Sequence, residues 1–471
     1  MIILSRPGTL TVSLWLLLLL ATPCLAQKDL ERRIDAYIKL EMQRQQIPGV
    51  SLAVVRNGKI AILKSYGFSN LEHQIPVKPE TIFQSGSIGK QFAATAIMIL
   101  AADGKLSLED KISKFFPDAP ASWSPITVRH LLTHTAGLGD YPPDFDLRRD
   151  HTEAELWTMI KSIPLAYVPG ERWDYSNLGY VTLGILIRKI TGQFHGDFVS
   201  ARIFKPLGMQ TARIISEADI IPNRAAGYRL ASGHLLNQEW VSPSTNTTAD
   251  GPYYFTILDL AKWDAGLLSD TLLSQAQLSQ MWKPVKLADG SMKGYGFGWH
   301  TDVLHGRPVV FHGGAWQGFK SFIVRFPKDR ITFIFMANSW DTRDFRLARG
   351  LVATHFPEFA LPAAEAISDQ APEVTAMIRR ALLGLAQGKA NLSSFTPAAA
   401  STLFPHQAKE VGTLLNTLSL PIALIFTNEL VEKKEENGLR VYRYAFNDIG
   451  KTIFCTVKLT SADKVDSLSC N

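Results

Sequence analysis

What this 471-residue chain lacks narrows it first. It has only three cysteines, too few for a disulfide scaffold or a cysteine-built zinc site. Beyond the N-terminal leader no run has the length and apolarity of a membrane span, so a membrane-crossing architecture is not expected. There is no strong charge of one sign either. Lys and Arg total 49 against 43 Asp and Glu, and the basic residues sit beside acids, as in "DLERRIDAYIK" and "VEKKEEN". That pattern reads as a solvated mixed-charge surface rather than a track for nucleic acid. No internal repeat is visible, which argues against a solenoid or propeller. Two familiar catalytic motifs are also missing. "SGSIG" has Ser85 where a G-x-S-x-G elbow needs glycine, and "HLLTH" has Leu131 where a zinc-protease helix needs glutamate. A metal at His130 and His134 is therefore not expected, and His134 reads as a hydrogen-bonded structural residue.

Residues 1–26 have the form of a signal peptide, with Arg6 ahead of "LWLLLLLA" and small residues before an expected cleavage after Ala26. Cys24 raises a lipoprotein alternative that Pro23 fits poorly. The expectation is a soluble, exported chain, periplasmic or secreted. With Cys24 removed, Cys455 and Cys470 remain. The segment "TIFCTVKLTSADKVDSLSC" reads as two strands around Ala462-Asp463, and with 460 facing 465 the register sets 455 opposite 470. A Cys455–Cys470 disulfide is expected there; two unpaired buried thiols are the alternative.

The periodicity places a helix in "KDLERRIDAYIKLEMQRQQIPG" and a hairpin in "VSLAVVRNGKIAILKSYG", turning at Asn57-Gly58. Far along the chain "GYGFGWHTD", "RPVVFHGG", "FKSFIVRFP" and "ITFIFMANS" read as four more strands, with a helix in "DFRLARGLVATHF". Between these flanks, from about 80 to 285, the pattern is mostly helical. The predicted fold class is therefore α+β: an antiparallel sheet built from both ends of a domain at 28–358, with flanking helices and a large helical insertion. A linker at 359–373 leads to a small α+β domain at 374–471.

"FQSGSIGKQF" places Ser87 three residues before Lys90 at the start of a predicted helix ending near Gly104. Residues i and i+3 share a helical face, so the hydroxyl and the amine can meet, and a helix N-terminus offers free N–H groups to an oxyanion. Burial can bring a lysine from about 10.4 toward 7, where it serves as a base. The plainer alternative is an amine that snorkels to solvent. Three further stretches favour chemistry. "PGERWDYSNLGY" puts Tyr175 and Asn177 at the mouth of another apolar helix; "RPVVFHGGAWQGFKSFIV" breaks between two strands at His312-Gly313-Gly314; "RHLLTHTAGL" makes a polar turn after Leu132.

In these residues the chain resembles the serine β-lactamase and penicillin-recognising family, in its class C-like branch of β-lactamases, esterases and D-specific peptidases. Ser87-Ile88-Gly89-Lys90, Tyr175-Ser176-Asn177 and His312-Gly313-Gly314 stand in the order of that family's Ser-x-x-Lys, Tyr-x-Asn and strand motifs, and the likeness spans about 30 to 355. The resemblance implies Ser87 as the acylated nucleophile, Lys90 and Tyr175 as the proton-transfer pair, and Asn177 as the side chain orienting Lys90 and a substrate amide. It implies an oxyanion hole from the N–H groups of Ser87 and Ala315, with His312, Gly313 and Gly314 on the substrate-binding strand. It implies bacterial origin, no cofactor or metal, and a small-molecule or peptide acyl substrate: an ester, a D-amino-acid peptide or a β-lactam. A penicillin-binding or sensor protein that acylates with little turnover is the alternative. One departure is His-Gly-Gly where drug-hydrolysing members usually carry Lys-Thr-Gly. If His312 takes the family's lysine position it is expected at the rim, titrating near 6.5 and favouring carboxylate-bearing substrates at low pH; the alternative is a histidine that only hydrogen-bonds within the strand. Tyr141, Tyr253, Tyr254 and Trp316 are candidates for the cleft wall, with plain core packing the alternative for each, and "GDYPPDFDLRRDHTE" is either a lid or a surface insertion. The last hundred residues more faintly resemble small cystatin-like or nuclear-transport-factor-like domains.

Overall fold

The computed structural model describes residues 10–214, 219–360, 369, 371–404, 406–415, 428–447 and 452–470. Helix α1 (Leu10–Gln45) leads into β1 (Gly49–Arg56) and β2 (Lys59–Asn70), followed by the short β3 (Ile75–Pro76). Four strands from far along the chain, β4 (His300–Leu304), β5 (Arg307–Trp316), β6 (Phe319–Phe326) and β7 (Ile331–Ala337), complete one antiparallel sheet in the order β4-β5-β6-β7-β1-β2-β3. β1 pairs with β7 from Val50↔Ala337 to Arg56↔Ile331, so the sheet is built from both ends of the domain. Asn57 and Gly58, with φ of 51° and 72°, turn the first hairpin in the geometry that its right-handed twist requires. No helix among the described residues is long and apolar enough to cross a membrane.

β1 is apolar almost throughout because both of its faces are covered. Successive side chains alternate sides. Val50, Leu52 and Val54 join Leu30, Ile34 and Ile38 of α1, with Phe345 and Leu351 of the helix Asp344–Ala353, in one core. Ala53 and Val55 face the other core, made with the helical insertion. Each large side chain so buried contributes about 1.5–3 kcal/mol. Glu41, 1% exposed, receives both Nε and a terminal nitrogen of Arg346, at 2.9 and 3.2 Å, and this buried fork clamps the two outer helices together.

Two strand expectations need correction. In "GYGFGWHTD" only the end is strand; Gly294 to Trp299 loops inward, and Gly298, at φ 75°, packs against the Lys90 carbonyl with no room for a Cβ. The sheet also does not break at His312-Gly313-Gly314. β5 runs through them to Trp316 in register with β6, and the turn comes at Gln317-Gly318. Gly314 serves close approach of another backbone, that of Ser85, and Gly313 lies against the Phe322 ring and the Asp344 carboxylate; neither marks a change of direction.

The C-terminal residues form a separate four-stranded antiparallel sheet with its own core. Its strands are β8 (Asn428–Glu436), β9 (Leu439–Asn447), β10 (Thr452–Leu459) and β11 (Val465–Cys470). Helices Pro372–Ala386, Pro397–Leu403 and His406–Leu415 precede it. Most of the expected linker lies outside the described residues. Cys455 and Cys470 are directly opposite and their sulfurs are bonded. The register reaches that pairing by a different route from the expected one: Leu459 faces Val465, and a bulge restores the sum before Lys458↔Ser467. Arg349 of the helix Asp344–Ala353 donates to the Phe359 and Ala360 carbonyls and to Thr452 Oγ1, tying the two sheets' layers together.

Candidate active site

Ser87 sits in a 3-10 turn, Gly86–Gly89, that runs straight into the apolar helix α2 (Lys90–Ala102). In a 3-10 turn residues i and i+3 eclipse, so the tight turn aligns Ser87 with Lys90 better than an α-helical face would. Two glycines let β5 dock on this turn backbone to backbone. Gly86 has φ 52° and its missing Cβ would overlap Ala315 N; a Cβ on Gly314 would overlap the Ser85 carbonyl oxygen. That carbonyl also accepts from Ser321 Oγ at 2.5 Å. The docking brings the Ala315 N–H beside the turn that carries Ser87.

Lys90 is fully buried and its three contacts define its chemistry. Nζ lies 3.1 Å from Ser87 Oγ and donates to Asn177 Oδ1 at 2.7 Å and to the Asp250 carbonyl oxygen. Burial lowers its pKa from 10.5 to about 8, against the opposing pull of the Asp250 and Asp140 carboxylates. The amine also lies over the Tyr175 ring, 4.9 Å from its centroid.

Tyr175 and Asn177 reach the site from the start of helix α3 (Asn177–Thr191). Ser176 caps this helix by accepting from Gly179 N at 3.1 Å while donating to the Gly139 carbonyl at 2.7 Å. His134, at φ 58°, accepts from Ser176 N at 3.1 Å through Nδ1, and burial first, then Lys90, holds it neutral. The Tyr175 hydroxyl is buried with no hydrogen-bond partner within 3.5 Å among the described residues. Burial pushes its pKa well above 10, with the facing Ser87 hydroxyl pulling the other way. The Asn177 amide nitrogen donates to both Asp140 oxygens, at 3.0 and 3.2 Å, which fixes the amide so that its oxygen faces Lys90.

Ser87 and Asn177 border a cavity of about 90 Å3 whose walls also include Tyr141, Leu147, Asp250 and Trp316. A β-lactamase family model matches residues 34–355. The chain belongs to the β-lactamase family. This is a β-lactamase-fold family of serine hydrolases. The chain is 30% identical over 335 residues to penicillin-binding protein 4* of Bacillus subtilis (strain 168), covering 66% of this chain and 73% of that one. D-amino acid amidase from Ochrobactrum anthropi SV3, solved with L-phenylalanine amide, is similar in structure, with TM-score 0.61 and 25% identity over 70% of this chain and 100% of that chain. The octameric penicillin-binding protein homologue from Pyrococcus abyssi shares the fold over 91% of this chain and 96% of its own, with TM-score 0.59 and 23% identity.

Within this β-lactamase-family chain His312 is not where a rim residue would be. It is 3% exposed; its Nδ1–H donates to the Gly313 carbonyl at 2.6 Å and Nε2 accepts from the Tyr295 hydroxyl at 3.1 Å. Burial lowers its pKa to about 3, so it stays neutral across the range in which a rim histidine was expected to titrate. Tyr253 and Tyr254 are also core residues, at 0% and 1% exposure, whereas Tyr141 and Trp316 do line the cavity. The stretch beginning at Gly139 thus supplies part of the wall, through Tyr141 and Leu147. Sequence reasoning missed Asp140 and Asp250. The only signal for Asp250 was a glycine between a polar run and aromatics in "TADGPYY", which marks close backbone packing without saying against what.

Proposed function

We propose that this chain is a serine hydrolase that works through a Ser87 acyl-enzyme. The observation that carries the reading is the contact set of Lys90. A neutral amine has two N–H donors and one lone pair. Two of its three neighbours, Asn177 Oδ1 and the Asp250 carbonyl, can only accept, and the third is the Ser87 hydroxyl at 3.1 Å. The lone pair is thereby directed at the one group with a proton to give.

Acylation follows from this arrangement. Ser87 Oγ forms a bond to the substrate carbonyl carbon as its proton passes to Lys90 Nζ. The oxyanion is received by the N–H groups of Ser87 and Ala315. Tyr175, kept protonated by burial, gives its proton to the departing amine or alkoxide and recovers one from Lys90. Water, deprotonated by the same pair, then attacks the acyl carbon and releases the acid with Ser87 restored. Esters and amides are favoured over β-lactams, because among the described residues no Lys, Arg or His lines the cavity to receive a ring carboxylate; the resemblance to a D-amino acid amidase supports amides. The test is mass spectrometry after reaction with a fluorophosphonate and a fluorescent penicillin. Wild type should gain one adduct on the peptide bearing Ser87 and hydrolyse a neutral ester; Ser87→Ala should do neither. Adduct formation undiminished in Ser87→Ala would overturn the assignment.

A further inference from the structure

The small cavity beside Ser87 adjoins a larger one, of about 360 Å3, that the acyl-transfer steps leave unused. Three chain segments pass from the first to the second. Trp316 lines the first and Gln317 the second; Pro252 lines the first and Tyr254 the second. Leu147 lines the first, and its neighbour Arg148 holds Glu239 of the second at 3.2 Å. The order along β5 gives the direction. The His312 ring lies 6.1 Å from that of Tyr175, assigned above to the leaving group. At about 3.3 Å per residue, Trp316 lies roughly 13 Å farther along the strand, and the larger cavity begins at the next residue. It therefore lies on the acyl side of Ser87.

The walls of this cavity are polar without a dominant sign. Glu239 and Arg224 are the lining residues with formal charges, and they are opposite. Arg148 and Arg229 sit on Glu239, and Glu72 accepts from Asn237, so both signs alternate along the walls. That singles out neither an anion nor a cation. What the walls offer is side-chain amides. Asn70 Oδ1 accepts from His73 N at 2.7 Å, which leaves its amide N–H groups as donors. Asn237 Nδ2 donates to Glu72 at 2.8 Å and Gln238 Nε2 to the Glu239 carbonyl at 2.7 Å, which leaves both side-chain oxygens as acceptors. Asn237 is exposed and the other two are partly exposed, so these groups are open to a ligand. Trp240, 56% exposed, presents an aromatic ring beside them. A pyranose fits this set: its hydroxyls donate and accept around the edge, and its C–H face lies on an aromatic ring. A peptide strand would instead want a row of backbone partners in ladder spacing, whereas these groups are side chains from two separate segments.

We infer that the larger cavity is a sugar subsite, so that preferred acyl donors carry a neutral saccharide on the acyl half, joined to the scissile carbonyl by a short spacer. This rests on the acyl-enzyme reading of Ser87 and adds to it the substrate class. The 90 Å3 beside Ser87 takes the spacer, and the 360 Å3, within the range of about 300–1,000 Å3 usual for small-molecule sites, takes the sugar.

The experiment compares the 4-nitrophenyl esters of glucosyloxyacetic acid, its 2-acetamido analogue and cyclohexyloxyacetic acid, which keeps the ring size and spacer without hydroxyls. The 4-nitrophenyl ester of N-acetylseryl-glycine is the peptide arm. Each is measured on wild type, Trp240→Ala, Gln238→Ala and Ser87→Ala. In wild type at least one sugar ester should exceed the cyclohexyl ester in kcat/KM by about tenfold or more, mainly through KM, as two added hydrogen bonds would give. That sugar-to-cyclohexyl ratio should fall about fivefold or more in Trp240→Ala and in Gln238→Ala. The methyl glycoside of the preferred sugar should inhibit wild type competitively and cyclohexanol should not, a comparison that needs no variant to fold. Sugar esters no better than the cyclohexyl ester, a ratio unmoved by both variants, or a peptide ester preferred over both sugars would overturn the inference. Ser87-dependent hydrolysis of the cyclohexyl ester would in each case leave the acyl-enzyme reading standing. Hydrolysis that survives in Ser87→Ala would instead remove the reading beneath it.

Discussion

Acylation should switch on with pH through the Lys90 amine, and the surroundings of that amine make the test unusually clean. The protonated amine cannot accept from Ser87, so the rate follows its neutral fraction. With a pKa of about 8, kcat/KM for a neutral ester should rise about fifty-fold between pH 6 and 8 and level off above 9. At the ordinary value of 10.5 the neutral fraction at pH 7 would be about 300-fold smaller, so burial supplies roughly 3 kcal/mol of the effect. Three titratable neighbours stay outside this window. His312 titrates near 3, His134 well below its usual value, and Tyr175 well above 10. Asp140→Asn sharpens the test, because the Asp140 carboxylate holds the Lys90 pKa up. Its removal should move the midpoint toward acid by a fraction of a unit to about one unit. The assay is single-turnover acylation by a neutral ester from pH 5.5 to 9.5, with the Ser87→Ala background subtracted. A profile flat from pH 6 to 9, or a midpoint that moves to higher pH in Asp140→Asn, would refute the assignment of Lys90 as the base.

Tyr175→Phe should lower acylation about 10²- to 10⁴-fold. Combined with Lys90→Ala it should cost little more than either alone, and additive losses in the double variant would show that the two groups do not share a proton path. Gly314→Ala drives a methyl into the Ser85 carbonyl, so thermal unfolding should show about 1–3 kcal/mol of lost stability together with a fall in kcat. Arg346→Ala removes two charge-assisted hydrogen bonds from the buried Glu41 carboxylate, which keeps Gln45 at 2.6 Å and Arg44 at 3.5 Å, and should destabilise the sheet domain by about 1.5–3 kcal/mol in urea titration. Cys455→Ser opens a cross-link of sequence separation 15 and should lower the stability of the C-terminal sheet by about 3 kcal/mol, read by its own unfolding transition; intact mass of the oxidised parent should be two hydrogens below the reduced form.

Local pattern was enough to determine the elements and much of the layout. Alternation and Asn57-Gly58 identified the first hairpin, and strand-like flanks around a helical middle required a sheet assembled from both ends. Ser87, Lys90, Tyr175 and Asn177 could be picked out because each lies at the start of a helix, where a cap or turn leaves a recognisable local signal. Tertiary structure decided what those residues face. Lys90 differs from a snorkelling lysine only in what surrounds its amine, and two of its three partners come from segments 87 and 160 residues away. His312 was misplaced because strand periodicity says which side of a sheet a side chain takes, not how much protein covers that side; here Tyr295, from the loop before β4, closes over it. Asp140 and Asp250 carry no motif of their own. Their charge matters only because folding brings them beside the same buried amine, and long-range proximity of that kind leaves no periodic trace in the chain.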